Sequence, residues 1–351
     1  MRNNNFDILR LLCALLVIVS HSYALLNLHD DEPLQKMMHM MILSDIGLCG
    51  FFTISGYLIL NSLLNSKSIV SYLAKRFLRI FPGLLVCLIV VVGGCSLFYD
   101  GQIGYWLQKQ TYSFLYNNLG LYTIQYKIPD VFANNPFDTV NGSLWTLAHE
   151  FTLYLCIIGL FFIRKRRVLL TILTAIALVL CLIKNTCFAN NISNTVYLGL
   201  SVNSFVLFAQ YFAIGMLMQL RNYWQTNKER WIIVSVCLVL ALVGINISSS
   251  HLSIYLSIYL KPILMLCVSV LFILVGEMYW KCVSDAIKHV GDMSYGVYIY
   301  SFPLQQMLIA LLPDINPIQL MCLTIVSVLP IAYVSWRYIE KPALSLKRYL
   351  Q

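Results

Sequence analysis

The sequence predicts an all-α polytopic membrane protein, and three observations predict it. Of the 351 residues 59% are hydrophobic and only 11% charged, with a mean hydropathy of +0.75, whereas a soluble domain carries about 25% charged residues. Apolar runs of the length needed to cross a bilayer recur along the whole chain. The basic residues are distributed between those runs with a strong alternating bias.

Ten spans are expected, at about 8–27, 43–63, 81–98, 144–163, 168–184, 200–220, 231–247, 261–277, 295–312 and 317–336. The first carries Arg10 and His21 and ends near Ser22-Tyr23-Ala24. Small residues there resemble a leader cleavage site, but nine further spans follow and the segment reads as a first transmembrane helix. The second contains "FFTISGYLI", and the third is preceded by Lys75, Arg76 and Arg79, with Pro82 in its first turn. A long connection over 99–142 then holds Tyr105, Trp106, Tyr112, Phe114, Tyr116, Tyr122 and Tyr126. It reads either as an interfacial aromatic belt or as a platform for sugar rings. The fourth span opens with "GSLWTLAHEFTLYL", the fifth follows Arg164–Arg167, and the last closes on Arg337.

With the amino terminus in the cytoplasm, nineteen of the twenty-four Lys and Arg fall on the inner side, Arg2, Arg221, Lys281, Lys288 and Lys347 among them. The other five, Lys36, Lys109, Lys127, Lys184 and Lys261, fall outside. That bias puts both termini in the cytoplasm. It also accounts for the net charge of +9 as membrane anchoring, so no nucleic-acid partner is expected. The eleven cysteines are scattered without a C-x-x-C pair and read as apolar packing residues; only Cys181 and Cys187 invite a bridge. One membrane domain over 1–351 is expected, with no fused soluble domain and no metal.

Arg10 and His21 are the most informative pair. Eleven residues on an α-helix separate two side chains by about 16 Å along the axis and about 20° around it, so the two share one groove. An ionisable group at membrane depth is costly unless it works or is paired. Glu150 lies about seven residues, roughly 10 Å, inside the outer end of its span, and His21 about six residues from the outer end of its own. At a shared depth the carboxylate is expected to orient the imidazole, or else to satisfy some other buried donor. His149 points about 100° away from Glu150 and reads as a packing residue. Arg76 and Arg79 share a helix face. Each alone is a topology anchor, but with Arg10 they form a cationic mouth for phosphates. Ser55, Ser143, Trp145 and Gln305 are the polar groups expected to hydrogen-bond an acceptor.

Six segments then point to a family: "FDILRLLCALLVIVSH", "FFTISGYLI", "RFLRIFPGLL", "SLWTLAHEFTLYL", "DMSYGVYIYSFPLQQ" and "RYIEKP". In order and spacing they resemble membrane acyltransferase family 3, which includes O-acetyltransferases of bacterial lipopolysaccharide O-antigen and other surface glycans. The resemblance implies an acetyl-CoA donor, a lipid-linked or surface glycan acceptor and a place in the bacterial inner membrane. It puts Arg10 and His21 at essential positions and Arg76, Arg79 and Glu150 on motif positions. Two departures stand out: Ser301 occupies a position where many members carry His, and the chain ends fifteen residues after the tenth span, without the hydrolase-like domain that some members append.

The expected reaction is acetyl transfer to a sugar hydroxyl, with His21 as general base, a role suited to an unperturbed imidazole near 6.5. Glu150 would orient His21 or bind the sugar. A covalent acetyl-enzyme on Ser301 or Ser55 is an open variant. A secondary transporter or exporter is the alternative, with Pro82, Pro262, Pro303 and Pro330 marking broken helices, although the two halves show no paired pattern. Cysteine tags in 99–142 are expected to react with an impermeant thiol reagent from outside intact cells, and tags after Arg164 or at the carboxyl terminus only after lysis.

Overall fold

A computed structural model of the chain describes residues 4–187, 195–220, 227–249, 254–278 and 291–350. Arg2, Arg221, Lys281 and Lys288 of the inner basic set lie outside the described residues. Among the described residues ten long helices follow one another. They are α1 (Phe6–Ala24), α2 (Leu43–Leu64), α3 (Ile69–Cys95), α4 (Trp145–Cys156, prolonged by a tighter turn over Ile157–Ile163) and α5 (Arg167–Cys187). The rest are α6 (Val202–Leu220), α7 (Asn227–Ser249), α8 (Ile254–Glu277), α9 (Ser294–Leu311) and α10 (Pro317–Ser335). Seven of these, α1 to α6 and α10, are long and apolar enough to cross a membrane by length and composition. The protein is therefore an all-α polytopic membrane protein. The expected count of ten spans goes further than that: α9 is too polar to meet the same measure, carrying Ser294, Tyr295, Ser301, Gln305 and Gln306 into the buried interior.

The third span needs the largest correction. Ser68 caps α3 by accepting the Ser71 backbone N–H at 3.0 Å, so the helix begins at Ile69, a dozen residues before the apolar run. Lys75, Arg76 and Arg79 thus sit on helix rather than ahead of it, their stems lying along the bundle, and Pro82 falls in the helix interior. α10 starts where the sequence signals it, at Asn316-Pro317: Asn316 accepts from Gln319 N at 2.9 Å and Gln319 returns the bond to Asn316 N at 3.2 Å. Cys181 and Cys187 both lie on α5, six residues or roughly 9 Å of rise apart, which is too far for a disulfide.

α2 is the centre of the bundle, packed chiefly on α6 and α1. Small residues allow this. A Cβ on Gly56 would stand 2.0 Å from the Phe212 carbonyl oxygen, and one on Gly215 2.0 Å from that of Thr53, so α2 and α6 cross backbone to backbone. On the other flank Gly47 approaches the Cys13 carbonyl, where a Cβ would be at 2.7 Å. Between α1 and α2 the buried Glu32 accepts from Ser20 Oγ at 3.0 Å and Leu43 N at 2.7 Å, and it caps the short helix Pro33–Met38.

The 99–142 connection is folded onto α9. Gln306 donates to the Phe137 and Thr139 carbonyls, and Asn141 donates to the Ile299 carbonyl at 3.0 Å. Its aromatics divide: Tyr105 and Phe114 are buried, whereas Trp106, Tyr112, Tyr116 and Tyr126 are exposed.

Replacing Gly56 or Gly215 by Leu is expected to destabilise the detergent-solubilised protein by about 1–3 kcal/mol or more through overpacking. Gly93→Ala in α3, where a Cβ meets nothing within 4 Å, should be neutral or slightly stabilising. Denaturant unfolding of the three variants checks the contrast.

Candidate active site

Two cavities meet at Arg10. The larger, about 660 Å³, opens at the end of the bundle where the α2–α3 turn, the start of α9 and the carboxyl-terminal segment converge. Six cations line it, Arg10, Lys67, Lys75, Arg76, Arg79 and Lys347, against two carboxylates, Asp7 and Asp292. The smaller, about 30 Å³, lies deeper among Phe51, Phe52, Thr146, Glu150, Tyr295 and Tyr298, and Arg10 borders both.

The sequence places Arg10 and Arg79 correctly in one basic mouth but gives no hint of what holds them. Asp292, just before α9, accepts from Arg10 Nη1 at 3.0 Å and from Arg79 Nη2 with one oxygen, and from Ser294 with the other. The three side chains expose 15%, 12% and 10% of their surface, so they form a nearly dry cluster. Burial opposes ionisation of Asp292, but Arg79 and Arg10 outweigh it and, with the Ser294 hydroxyl, hold its carboxyl well below the usual carboxylate range. Arg76 is used differently: its Nη2 donates to Ser62 Oγ at 3.1 Å, its guanidinium stands 5.8 and 5.9 Å from the Tyr72 and Tyr154 rings, and its buried Nε has no partner among the described residues.

Glu150 does not meet His21. One carboxylate oxygen accepts from Ser55 Oγ at 2.8 Å and from the Tyr154 hydroxyl. Ser55 and Tyr154 line the basic cavity and Glu150 the inner one, so these three form the wall between the cavities. Glu150 lies at the level of Arg10, with which it shares the inner cavity, because Ser55 is eleven residues along α2 from Ser44, whose N–H bonds Ser20 beside His21; the shared depth expected from counting residues is not what the packing gives. Ser55 accordingly lies on the basic side and not with the acceptor groups.

His21 sits one step further along α9. Its ring stands edge-on to Phe302, centroids 5.1 Å apart, four residues beyond the Tyr298 that borders the inner cavity. Its Nδ1 is buried and without a hydrogen-bond partner among the described residues. Gln305 clamps the same stretch of α1, donating to the Ile18 carbonyl at 3.0 Å and Ser22 Oγ at 2.8 Å, while its own Oε1 has no partner among the described residues. Ser143 Oγ is likewise buried and without a partner among the described residues. Trp145 instead packs on His149 and Phe208 and lines neither cavity. His149 is a packing residue held by the Trp145 and Ser201 carbonyls. Ser301 is buried and bonded to the Tyr298 carbonyl.

Sequence reasoning missed Asp292, Lys347 and Glu340. Glu340, in the π-helical turn Trp336–Glu340, is buried, takes the Ser335 hydroxyl at 3.1 Å and keeps its second oxygen unpaired among the described residues. All three lie in or beyond segments already singled out, and an acidic residue at the edge of an apolar run was the available signal. Among the described residues no group of three or more His, Cys, Asp or Glu side chains is placed to hold a metal ion.

An apolar helical bundle with a basic cavity at one end and a half-buried histidine about three turns along α1 from it is the frame of the site. Residues 3–337 match a family model described as an acyltransferase domain, and the chain belongs to that family; it is a multi-pass membrane acyltransferase. It is 28% identical over 346 residues to an O-acetyl transferase of Shigella phage Sf6, covering 97% of this chain and 96% of the relative. It is also 28% identical over 362 residues to Nodulation protein 10 of Rhizobium leguminosarum bv. viciae, covering 99% and 95%. No solved structure matches.

Asp292→Ala leaves two guanidiniums unpaired in a nearly dry site. It is expected to cost about 3–5 kcal/mol of stability, whereas Arg79→Ala with Asp292→Ala, which still leaves Arg10 without its carboxylate, should recover only part of that loss; a double-mutant cycle of these two substitutions by denaturant unfolding measures it.

Proposed function

We propose that the protein is an O-acetyltransferase of the bacterial inner membrane, moving an acetyl group from acetyl-CoA to a sugar hydroxyl of a surface glycan such as lipopolysaccharide O-antigen. The observation that carries the donor half is the basic cavity, where six cations face two carboxylates and one of those carboxylates is already engaged by Arg10 and Arg79. A site with that surplus suits a ligand bearing several phosphates. The O-acetyl transferase relative supports the group transferred, and membership of an acyltransferase family sets the transporter alternative aside.

In this reading Arg10, Arg76 and Arg79 hold the phosphates and the pantetheine arm runs along α1, past the wall of Ser55, Glu150 and Tyr154, toward His21. About 16 Å separates Arg10 from His21 along the helix, a length that arm spans. His21 takes the proton of the sugar hydroxyl as its oxygen attacks the thioester carbonyl; the acetyl–oxygen bond forms, the acetyl–sulfur bond breaks and the thiolate leaves as CoA. Its unpaired Nδ1 and the unpaired Oε1 of Gln305 lie on the same α1–α9 contact and supply acceptor atoms for substrate hydroxyls. Ser143, whose hydroxyl has no partner among the described residues, is a candidate for the sugar; Trp145 packs on rings and has no such role in this reading. Glu150 serves the donor path, through Ser55 and Tyr154, and not His21.

His21→Ala is expected to lower acetyl transfer by about two to four orders of magnitude, the usual contribution of a positioned base, in a protein that still inserts and folds. Arg76→Ala with Arg79→Ala should weaken donor binding instead. Transfer from labelled acetyl-CoA in proteoliposomes, with mass spectrometry of the glycan, reads both; an active His21→Ala protein would falsify the base assignment.

A further inference from the structure

The basic cavity is lined in part from outside the region that defines the family. The family match ends at residue 337, yet Lys347, ten residues later, is one of the six cations of the cavity. After the π-helical turn, Lys341–Ser345 forms a short helix and Leu346–Leu350 one tighter turn, which packs back on α3. Of the basic residues on this tail, Lys341 and Arg348 are exposed and only Lys347 is turned in and half-buried. It makes no ion pair with a described residue, and the charged groups it faces are themselves cations, Arg76 and Arg79 first, then Lys75 and Arg10. An ammonium held among like charges is unfavourable unless something anionic joins them.

Besides Arg76, which is held by Ser62 and the Tyr72 and Tyr154 rings, the cations of the cavity fall into two sets. Arg10 and Arg79 lie deep, at 15% and 12% exposure, and are partly neutralised by Asp292. Lys67, exposed on the α2–α3 turn, Lys75 and Lys347 lie nearer the surface, and none has a carboxylate partner among the described residues. Lys75 reaches only the Ser66 hydroxyl at 3.4 Å. An acyl-CoA has its phosphates in two places. The diphosphate adjoins the pantetheine arm, and a separate phosphomonoester sits on the ribose at the opposite end from the thioester. If the thioester points along α1 toward His21, the diphosphate meets the deep set and the ribose phosphate meets the outer set.

We propose that Lys347, with Lys75 and Lys67, forms a subsite for the ribose 3′-phosphate of the donor, so that the carboxyl-terminal tail makes the enzyme selective for acyl-CoA over its 3′-dephospho form. The proposal rests on the acetyl-CoA reading above. A phosphomonoester carries close to two charges at neutral pH and takes several charge-assisted bonds at once, which is what three separately anchored ammonium groups offer.

The test compares acetyl-CoA with acetyl-3′-dephospho-CoA as ligands of the full-length protein in nanodiscs, by calorimetry, for the wild type, Lys347→Gln and Lys347→Arg. The wild type is expected to bind acetyl-CoA about tenfold or more tightly than the dephospho form, the factor given by about 1.4 kcal/mol. Lys347→Gln should lose most of that preference by weakening acetyl-CoA binding alone, and Lys347→Arg should retain it. Equal weakening of both ligands, or unchanged discrimination in Lys347→Gln, would overturn the subsite. A wild type that binds neither ligand would overturn the donor reading itself, a result distinct from loss of discrimination. Thermal unfolding of each variant separates a binding loss from misfolding.

Discussion

The cluster of Arg10, Asp292 and Arg79 is what the site depends on. Three charges in a nearly dry environment are tolerable only as a set, because removing water from each costs several kcal/mol that mutual attraction and hydrogen bonds must offset. Asp292 is 282 residues from Arg10 and 213 from Arg79, so satisfying it pins the first helix, the third helix and the start of α9 to one another. It fixes Arg10 at the junction of the two cavities and thereby sets where along α1 a bound polyanion would stop.

Around this cluster the packing serves approach and not filling. Gly47 and Gly56 let α2 lie against α1 and α6 with backbone contact, which brings Ser55, between them in sequence, close enough to bond Glu150 on α4. α9 is the polar complement: its buried Tyr295, Tyr298, Ser301, Gln305 and Gln306 bond carbonyls on other elements or in its own preceding turn. In a bilayer such groups are retained only where the protein interior supplies partners. Gln305 and Ser143 each keep one polar atom without a partner among the described residues, the first beside the stretch of α1 that bears His21 and the second in the loop leading to α4.

How much of this was legible in the sequence varied with the kind of information needed. Helix existence was, since an apolar run of about twenty residues has few alternatives in a membrane, and α1, α2 and α10 begin and end within a few residues of where the runs do. The start of α3 was not, because a hydropathy pattern ends at Lys75 to Arg79 whereas a capped helix with snorkelling side chains does not. The basic mouth was legible from Arg10, Arg76 and Arg79 because positive charge at an apolar edge is conspicuous. Its acid was not: Asp292 stands in a quoted motif but its partners lie hundreds of residues away, and spacing carries no such information. Glu150 was found as a residue and expected beside the wrong neighbour, since counting rise along one helix does not tell which residues of the other helices pack at its level, and Ser55 brings it level with Arg10. Lys347 was counted among the anchors because every tail lysine looks alike until one of them turns inward.

The placement of the cations has a kinetic meaning for an acetyl donor. Phosphates are the part of that molecule which acetyl transfer leaves unaltered, so a cavity that grips them holds substrate, transition state and spent CoA about equally. Binding of that uniform kind sets the donor concentration needed and adds nothing to the chemical step. In the proposed reaction the rate then has to come from the histidine end. With acetyl-CoA as the proposed donor, free CoA would compete for the same cations, and the proposed transfer would follow the ratio of acetyl-CoA to CoA and not the amount of either.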